Sequence, residues 1–263
     1  MKSLFGFCIL LFFIGCKEGK TFADDIVLSF PKNEKLTIQK FNEDGNEAGT
    51  NLFYKGYDSG KIYIKYFKNI MPEPPPPPKI NESKKKLSER INAFRDSLNH
   101  VKSPYFRNEE IEILYTKENL YDSLSNKNLS IIVKENDTIP LYKRDYETDE
   151  IKKHKAFPVY IKNISDKVLK IPIAAAGVAL YISNNENYQY IRNSSYMICG
   201  MGTNVNPYFE LKPNEILIYS FPHLEKGIKR KEKILFYDAI SKDFEMSVDE
   251  KIIKNQALIK YLE

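Results

Sequence analysis

The sequence predicts a mainly-β protein whose C-terminal half folds as an immunoglobulin-like β-sandwich. From residue 156 onward, about eight short apolar runs follow one another at intervals of roughly 8 to 12 residues, separated by turn residues such as Asn, Asp and Pro. Of the 263 residues, 42% are hydrophobic, which is enough for a packed core. The absence of tryptophan excludes an antibody-type core but not this architecture.

Shorter strand-like runs in the N-terminal part predict a small β meander. Residues 36–38, 51–57 and 62–66 are rich in apolar and aromatic side chains, and turn signals lie between them at residues 42–46 and 58–60. In a meander, consecutive strands pair with one another. With so few strands and so little core, it would be only marginally stable alone.

One amphipathic helix is predicted over residues 81–101. Its apolar residues recur alternately four and three positions apart, which places them in one stripe; they are Leu87, Ile91, Phe94, Leu98 and Val101. Two heptads are short for a coiled coil, so we expect the stripe to pack on the protein's own sheet. A partner helix is the alternative.

Composition divides the chain into five segments. They are a signal peptide at residues 1–15, a tether and small β segment at 16–70, a proline-rich linker at 71–80, a helix with a β-hairpin at 81–150 and the sandwich domain at 151–263. The linker contains five consecutive prolines, which lack amide donors and fix φ, so it forms a stiff polyproline II spacer. A ligand for a proline-recognition domain is the alternative.

The chain opens with a short apolar run that has the layout of a secretion signal. Residues 4–15 carry no charge and follow Lys2. They are too few to cross a bilayer, which needs about 20 residues, but they suit the apolar region of a signal peptide. The sequence FIGC at residues 13–16 resembles the lipobox of bacterial lipoproteins, with Phe13 in place of the usual Leu. An ordinary signal peptide with an incidental cysteine is the alternative.

The lipobox resemblance implies an address and a membrane partner. It implies that the signal is cut before Cys16, that the Cys16 thiol is diacylated and that the new amino group is acylated. Several acyl chains together hold a protein in the bilayer permanently. In lipoproteins of didermal bacteria an Asp after the cysteine commonly signals inner-membrane retention. Lys17 stands there instead, so the resemblance implies the outer membrane, facing either the periplasm or the surface.

A second resemblance covers roughly residues 156–250. The stretches VYIKNISDKVLKIPI (159–173) and ELKPNEILIYSFPHLEKGIKRKEKILFY (210–237), with a Cys-Gly pair between them at 199–200, resemble the C-terminal β-sandwich of uncharacterised lipoproteins of the Bacteroidota. The matching motifs are structural turns. The resemblance therefore implies the fold, and it implies no catalytic residue.

Histidines and cysteines are few, with three of each, whereas carboxylates are plentiful. His100, His154 and His223 stand apart without the spacing of metal ligands. Once Cys8 leaves with the signal and Cys16 carries lipid, Cys199 remains; it is expected to be a small buried side chain, with a nucleophile or an intermolecular bridge as alternatives. No catalytic, cofactor or metal motif is present, so we predict no enzyme, no cofactor and no metal.

Two clusters of side chains are candidates for a binding surface. The first consists of tyrosines that would line a binding face or, alternatively, pack at sheet edges: Tyr181, Tyr188, Tyr190 and Tyr196. The second is a basic run that would contact anionic headgroups or glycan phosphates, or else form a solvated turn: Lys226, Lys229, Arg230, Lys231 and Lys233. The net charge of +5 is too small to indicate nucleic-acid binding.

These observations predict a lipid-anchored cell-envelope protein that acts as a non-catalytic binding or structural module. The expected partners are the membrane, an envelope protein or a glycan. One alternative is an envelope immunity or inhibitor protein. Another is a hydrolase with two carboxylates across a cleft, which needs no sequence motif. A cleft with two facing acids would favour the hydrolase, and a flat tyrosine-rich patch would favour the other two.

Overall fold

The computed structural model describes residues 19–49, 51–58, 60–64, 82–100, 112, 114–117, 124–148, 150–172, 178–184, 187–195 and 206–256. Several features predicted from the sequence lie outside these residues. They are the signal peptide, Cys16, the proline-rich linker, Tyr196 and Cys199.

The described residues form sixteen strands and two α-helices. The strands are β1 Val27–Ser29, β2 Glu47–Ala48, β3 Leu52–Gly56, β4 Lys61–Tyr63, β5 Leu114–Thr116, β6 Leu129–Val133, β7 Ile139–Asp145, β8 Ile151–Asn163, β9 Leu169–Pro172, β10 Val178–Asn184, β11 Asn187–Ile191, β12 Asn206–Leu211, β13 Ile216–Pro222, β14 Ile228–Phe236, β15 Ala239–Ile240 and β16 Phe244–Val248. The helices are α1 Lys84–His100 and α2 Glu250–Lys254, and a 3₁₀ turn at Glu43–Asn46 precedes β2.

Three larger sheets and one strand pair organise these strands. The six-stranded sheet has the order β2-β7-β8-β13-β3, and β6 also pairs with β8. The five-stranded sheet has the order β11-β10-β14-β15, with β16 also pairing with β14. A three-stranded sheet runs β5-β12-β9, and β1 pairs with β4. All pairs in the larger sheets are antiparallel, whereas β1 and β4 are parallel.

The main core fills the space between the six-stranded sheet and the two other larger sheets. Phe157, Val159 and Ile161 of β8 share this core with Leu180 of the five-stranded sheet and Phe209 of the three-stranded sheet. All five side chains are buried. This face-to-face packing of sheets over an apolar core is sandwich-like.

A second core lies on the opposite face of the six-stranded sheet. Ala156 and Tyr160 of β8 lie there with Ile26, Ile62 and Ile64 from the segments around β1 and β4. Side chains alternate between the faces of a strand, and β8 is apolar on both because both faces are covered. The molecule therefore has three layers: the β1–β4 pair, the six-stranded sheet, and the five- and three-stranded sheets.

The prediction of a mainly-β fold with sandwich-like packing is confirmed. The N-terminal strands pair differently from the predicted meander. Among the described residues, β2 pairs with β7 and β3 pairs with β13. Strands from the 16–70 segment therefore form the two ends of the six-stranded sheet, whose other strands come later in the chain. Alternation in a sequence shows which side chains are buried, but it does not identify the neighbouring strand.

The predicted helix is present as α1. Its first turn is capped by Ser83, whose Oγ accepts a hydrogen bond from the Lys86 N–H at 3.4 Å. An ion pair of 2.7 Å joins Arg90 in the helix to Glu82 just before it. None of the helices in the described part of the chain has the length and apolar character that a membrane-spanning segment requires.

Candidate functional site

The outer face of the five-stranded sheet brings together the tyrosines and the lysines that the sequence singled out. Tyr190 on β11, Tyr181 on β10 and Lys233 on β14 are direct neighbours across the three strands. Tyr188 and Lys231 occupy the next outward positions of β11 and β14. Neighbouring residues of the same strands, Leu180, Ile182 and Ile234, point into the main core instead, because side chains alternate along a strand. We call the three tyrosines and two lysines the tyrosine–lysine face.

Close aromatic and cationic contacts hold the tyrosine–lysine face together. The rings of Tyr181 and Tyr190 are tilted, with centroids 5.5 Å apart. The Nζ of Lys233 lies 4.1 Å from the centroid of the Tyr188 ring, within the range of a cation–π interaction. It also lies 3.4 Å from an Asp243 carboxylate oxygen. The face thus offers flat aromatic surface next to a positive charge, which suits a ligand with an apolar ring face and an anionic group.

The five basic residues of the predicted anionic contact do not share one surface. Lys229, Lys231 and Lys233 alternate outward on β14, whereas Arg230 points to the opposite side. The Arg230 Nη1 donates to the Ser183 carbonyl at 3.5 Å, on the neighbouring strand β10. Lys226 is exposed before the strand begins. The period of two in a β-strand separates residues that are adjacent in sequence.

A buried polar cluster, which sequence reasoning missed, joins β2 to β7 and β8. His154 Nε2 lies 2.8 Å from Glu47 Oε1, and both side chains are almost fully buried. The Lys152 ammonium lies 2.9 Å from Glu43, 3.5 Å from Glu47 and 2.8 Å from Asp145. Glu47 and His154 are 107 residues apart, so no local spacing could have identified the cluster. We call these five residues the carboxylate–lysine cluster.

Electrostatics within this cluster keep its outer carboxylates ionised. The hydrogen bond from Lys152, with backbone N–H bonds from Thr148 and Glu147, lowers the pKa of Asp145 to about 2. Burial alone would raise the pKa of Glu43, but the hydrogen bond from Lys152 and other contacts outweigh it and the pKa is lowered. Hydrogen bonds to the carboxylates in turn raise the pKa of Lys152. The cluster is therefore a charged network with its own cation.

Three of these residues also have the arrangement of a metal site. Ligand atoms of Glu43, Glu47 and His154 lie within 4.8 Å of one another, a set that zinc accepts. However, the Lys152 ammonium lies between two of these carboxylates and already supplies the compensating charge. A bound metal ion would have to displace Lys152, so the geometry fits an ion-pair network better than a metal centre.

We therefore expect the melting temperature to be unchanged by EDTA and by zinc. A metal that bound the folded protein would stabilise it by about 2.7 kcal/mol at a hundredfold excess over its Kd. Differential scanning calorimetry of the purified protein with EDTA, and then with added Zn²⁺, measures this. A zinc-dependent increase of several degrees that is lost in Glu47→Gln would contradict the expectation.

A surface cleft of about 230 Å³ lies near the end of β13. Its lining includes His223, Lys155 and two acids, Glu135 and Glu245. Burial, with the charge of Lys155, lowers the pKa of His223 to about 4, so this imidazole is neutral at pH 7.

The environment of Glu245, one of the two acids in this cleft, decides whether it could serve as the general acid of a hydrolase. Glu245 is 62% exposed and lies 3.8 Å from Lys229. A general acid of a glycosidase normally sits in an apolar environment that keeps it protonated. The open, ion-paired position of Glu245 does not provide such an environment.

Among the described residues, the Glu232 carboxyl group lies inside the main core. Glu232 is fully buried on β14, on the same side as Ile234 and Phe236, between Ile182 and Phe244 on the neighbouring strands. Neither of its oxygens has a hydrogen-bond partner among the described residues. Burial raises its pKa to about 8, so Glu232 is mostly protonated at neutral pH.

Comparison with known proteins found no matching protein-family model, no similar curated protein and no similar solved structure. The tyrosine–lysine face brings three half-buried tyrosine rings and two lysines together on one surface.

Proposed function

We propose that this protein is a lipid-anchored component of the bacterial cell envelope, attached to the outer membrane through Cys16. The sequence FIGC at residues 13–16, directly after a short uncharged apolar run, supports the anchor. Lys17 in place of Asp supports the outer membrane. The folded body follows closely, because Ala23 is already buried in the second core.

Attached in this way, the protein acts as a non-catalytic binding module, and the tyrosine–lysine face is its binding surface. The observation that carries this proposal is the alignment of three tyrosine rings and the Lys233 ammonium on one outward sheet face. Tyrosine rings stack on the apolar faces of sugars, and an ammonium binds phosphate or carboxylate groups. The expected ligand class is therefore an anionic saccharide of the cell envelope.

Replacing Cys16 tests the anchor. We expect wild type to fractionate with the outer membrane and Cys16→Ala to be soluble or to remain uncleaved, because the variant has no acyl chains. Membrane fractionation followed by immunoblotting measures the distribution. Cys199→Ala is the matched control and should fractionate like wild type. Equal membrane association of wild type and Cys16→Ala would contradict the anchor.

Variants on the tyrosine–lysine face test the binding module. We expect Tyr188→Ala and Lys233→Gln each to weaken binding about 3- to 30-fold, since each removes roughly 0.7–2 kcal/mol of stacking or cation interaction. Isothermal titration with purified lipopolysaccharide, intact and dephosphorylated, measures the affinity; the dephosphorylated form should bind less tightly.

Tyr146→Ala provides the matched control for these binding experiments, because Tyr146 is 66% exposed but lies outside the tyrosine–lysine face. It should bind lipopolysaccharide like wild type. Equal losses in Tyr146→Ala and Tyr188→Ala, or no loss in either face variant, would contradict the proposed surface.

A further inference from the structure

We infer that the outer surface of the β1–β4 pair is the side of the protein that lies against the membrane, so that the tyrosine–lysine face points away from it. This inference rests on the proposed lipid anchor at Cys16. Two observations support the orientation. Few residues separate Cys16 from the β1–β4 layer, and an exposed Tyr, Val and Lys lie on the outer side of that layer.

The length of the chain limits where Cys16 can lie. Ala23 is fully buried in the second core and comes seven residues after Cys16, so at most about 25 Å of extended chain separates the two. Gly19, which is exposed, is only three residues from Cys16 and hence within about 11 Å. Lys20, the residue after Gly19, makes an ion pair of 2.8 Å with Asp25 just before β1, so this part of the chain lies beside β1 and the membrane anchor is confined to the neighbourhood of the β1–β4 layer.

The layers place the tyrosine–lysine face on the far side of the molecule. The β1–β4 pair covers one face of the six-stranded sheet through the second core, and the five-stranded sheet covers the other through the main core. Packed sheets are about 10 Å apart, so the backbones of the two outer layers are roughly 20 Å apart. At most about 11 Å of chain leads from Gly19 to Cys16, which is less than this separation, so the chain is too short to bring the tyrosine–lysine face to the bilayer.

The outer side of the β1–β4 pair has the chemistry of a membrane interface. Leu28 and Ile62 pair with each other and point toward the second core, so the flanking Val27, Lys61 and Tyr63 point outward. Val27 is 58% exposed and Tyr63 is 57% exposed, and the Lys61 Nζ lies 5.1 Å from the Tyr63 ring centroid. Tyrosine rings favour the headgroup level of a bilayer, and lysines bind anionic headgroups.

A lipid surface fits this side better than a second copy of the chain does. A protein partner would have to bind on the side of the molecule that carries the bilayer anchor, and the two three-residue strands of this patch offer three exposed outward residues. An interfacial contact by these few residues is weak by itself, but the anchor makes it intramolecular and thereby raises its effective concentration.

Energy transfer to the membrane tests the orientation. One fluorescent donor is attached at Lys61→Cys and, in a matched variant, at Lys231→Cys, both exposed strand lysines, in a Cys199→Ala background. The lipidated proteins are placed in vesicles of phosphatidylethanolamine and phosphatidylglycerol that contain a headgroup-linked acceptor. Flotation of the vesicles first establishes that each protein is membrane-bound.

We expect the donor at position 61 to be quenched at least twofold more than the donor at position 231. Equal quenching, or stronger quenching at position 231, in proteins that float with the vesicles would overturn the orientation and leave the anchor intact. Proteins that do not float would overturn both. Adding Val27→Ser and Tyr63→Ser to the Lys61→Cys protein should reduce its quenching; unchanged quenching would overturn the contribution of these side chains.

Discussion

Glu232→Leu is expected to be more stable than wild type. Its gain in free energy of unfolding over wild type should be larger at pH 8 than near pH 4, by on the order of 4 kcal/mol. The carboxyl group has a pKa of about 8 in the folded protein and an ordinary value of 4.5 when exposed. Between these values the unfolded chain is ionised while the folded protein retains the proton. The contribution of Glu232 to wild-type stability therefore falls as the pH rises from about 4.5 to 8 and stays constant above that pH.

Urea denaturation of wild type and the variant between pH 4 and 9 measures this difference. Other titrating groups contribute equally to both proteins and cancel in the comparison. Below pH 4.5 a smaller gain remains in Glu232→Leu, because even the protonated acid is buried without a hydrogen-bond partner. Glu232→Gln keeps the polar group but cannot ionise, so its stability relative to Glu232→Leu should not change with pH. Parallel pH profiles for wild type and Glu232→Leu would show that Glu232 does not titrate as described.

Lys152→Met is expected to lower the free energy of unfolding at pH 7 by about 2–3 kcal/mol. Removing one partner of a buried ion pair typically costs 3–5 kcal/mol, and the 30% exposure of Lys152 reduces this figure. The substitution leaves Glu43, Glu47 and Asp145 close together without their shared cation. Chemical denaturation at pH 7 measures the loss.

The loss in Lys152→Met should shrink in acid. The pKa of Asp145 is lowered to about 2 in the folded wild type, so its contribution is present above its ordinary value of 3.8 and disappears as the pH falls through 2. The two proteins should therefore approach the same stability near pH 2.

Lys153→Met is the matched control for Lys152→Met. Lys153 makes an ion pair of 2.7 Å with Glu34, and its side chain is 38% exposed. This ion pair of Lys153 involves one carboxylate, whereas Lys152 neutralises three, so this variant should lose less than about 1 kcal/mol and be nearly as stable as wild type. If both lysine variants lost the same stability, the carboxylate–lysine cluster would have no special role in holding β2 against β7 and β8.

Much of the tyrosine–lysine face could be predicted from the sequence, because its clusters are local. The tyrosines and the basic residues lie on short alternating strands, and alternation alone separates Lys231 and Lys233 from Arg230. The same rule applied to IKRKEKILF places Glu232 on the side of Ile234 and Phe236, so the sequence carried a signal for the buried acid that its surrounding charges obscured.

Other features depended on contacts that no local pattern encodes. The pairing of β3 with β13 joins residues more than 150 positions apart, and it replaces the predicted meander. Glu47 meets His154 only because β2 pairs with β7 and β7 pairs with β8. Hydrophobic periodicity identified these segments as strands but could not choose their partners.

We propose that Cys16 carries lipid and holds the folded body at the membrane. Intact mass spectrometry of the protein purified from membranes tests it most directly, with Cys16→Ala as the comparison. We expect the wild-type chain to begin at Cys16 and to carry the added mass of its acyl chains, and we expect no added mass in the variant. A wild-type protein with an unmodified Cys16, whether cleaved or not, would contradict the anchor and with it the inferred orientation of the β1–β4 layer.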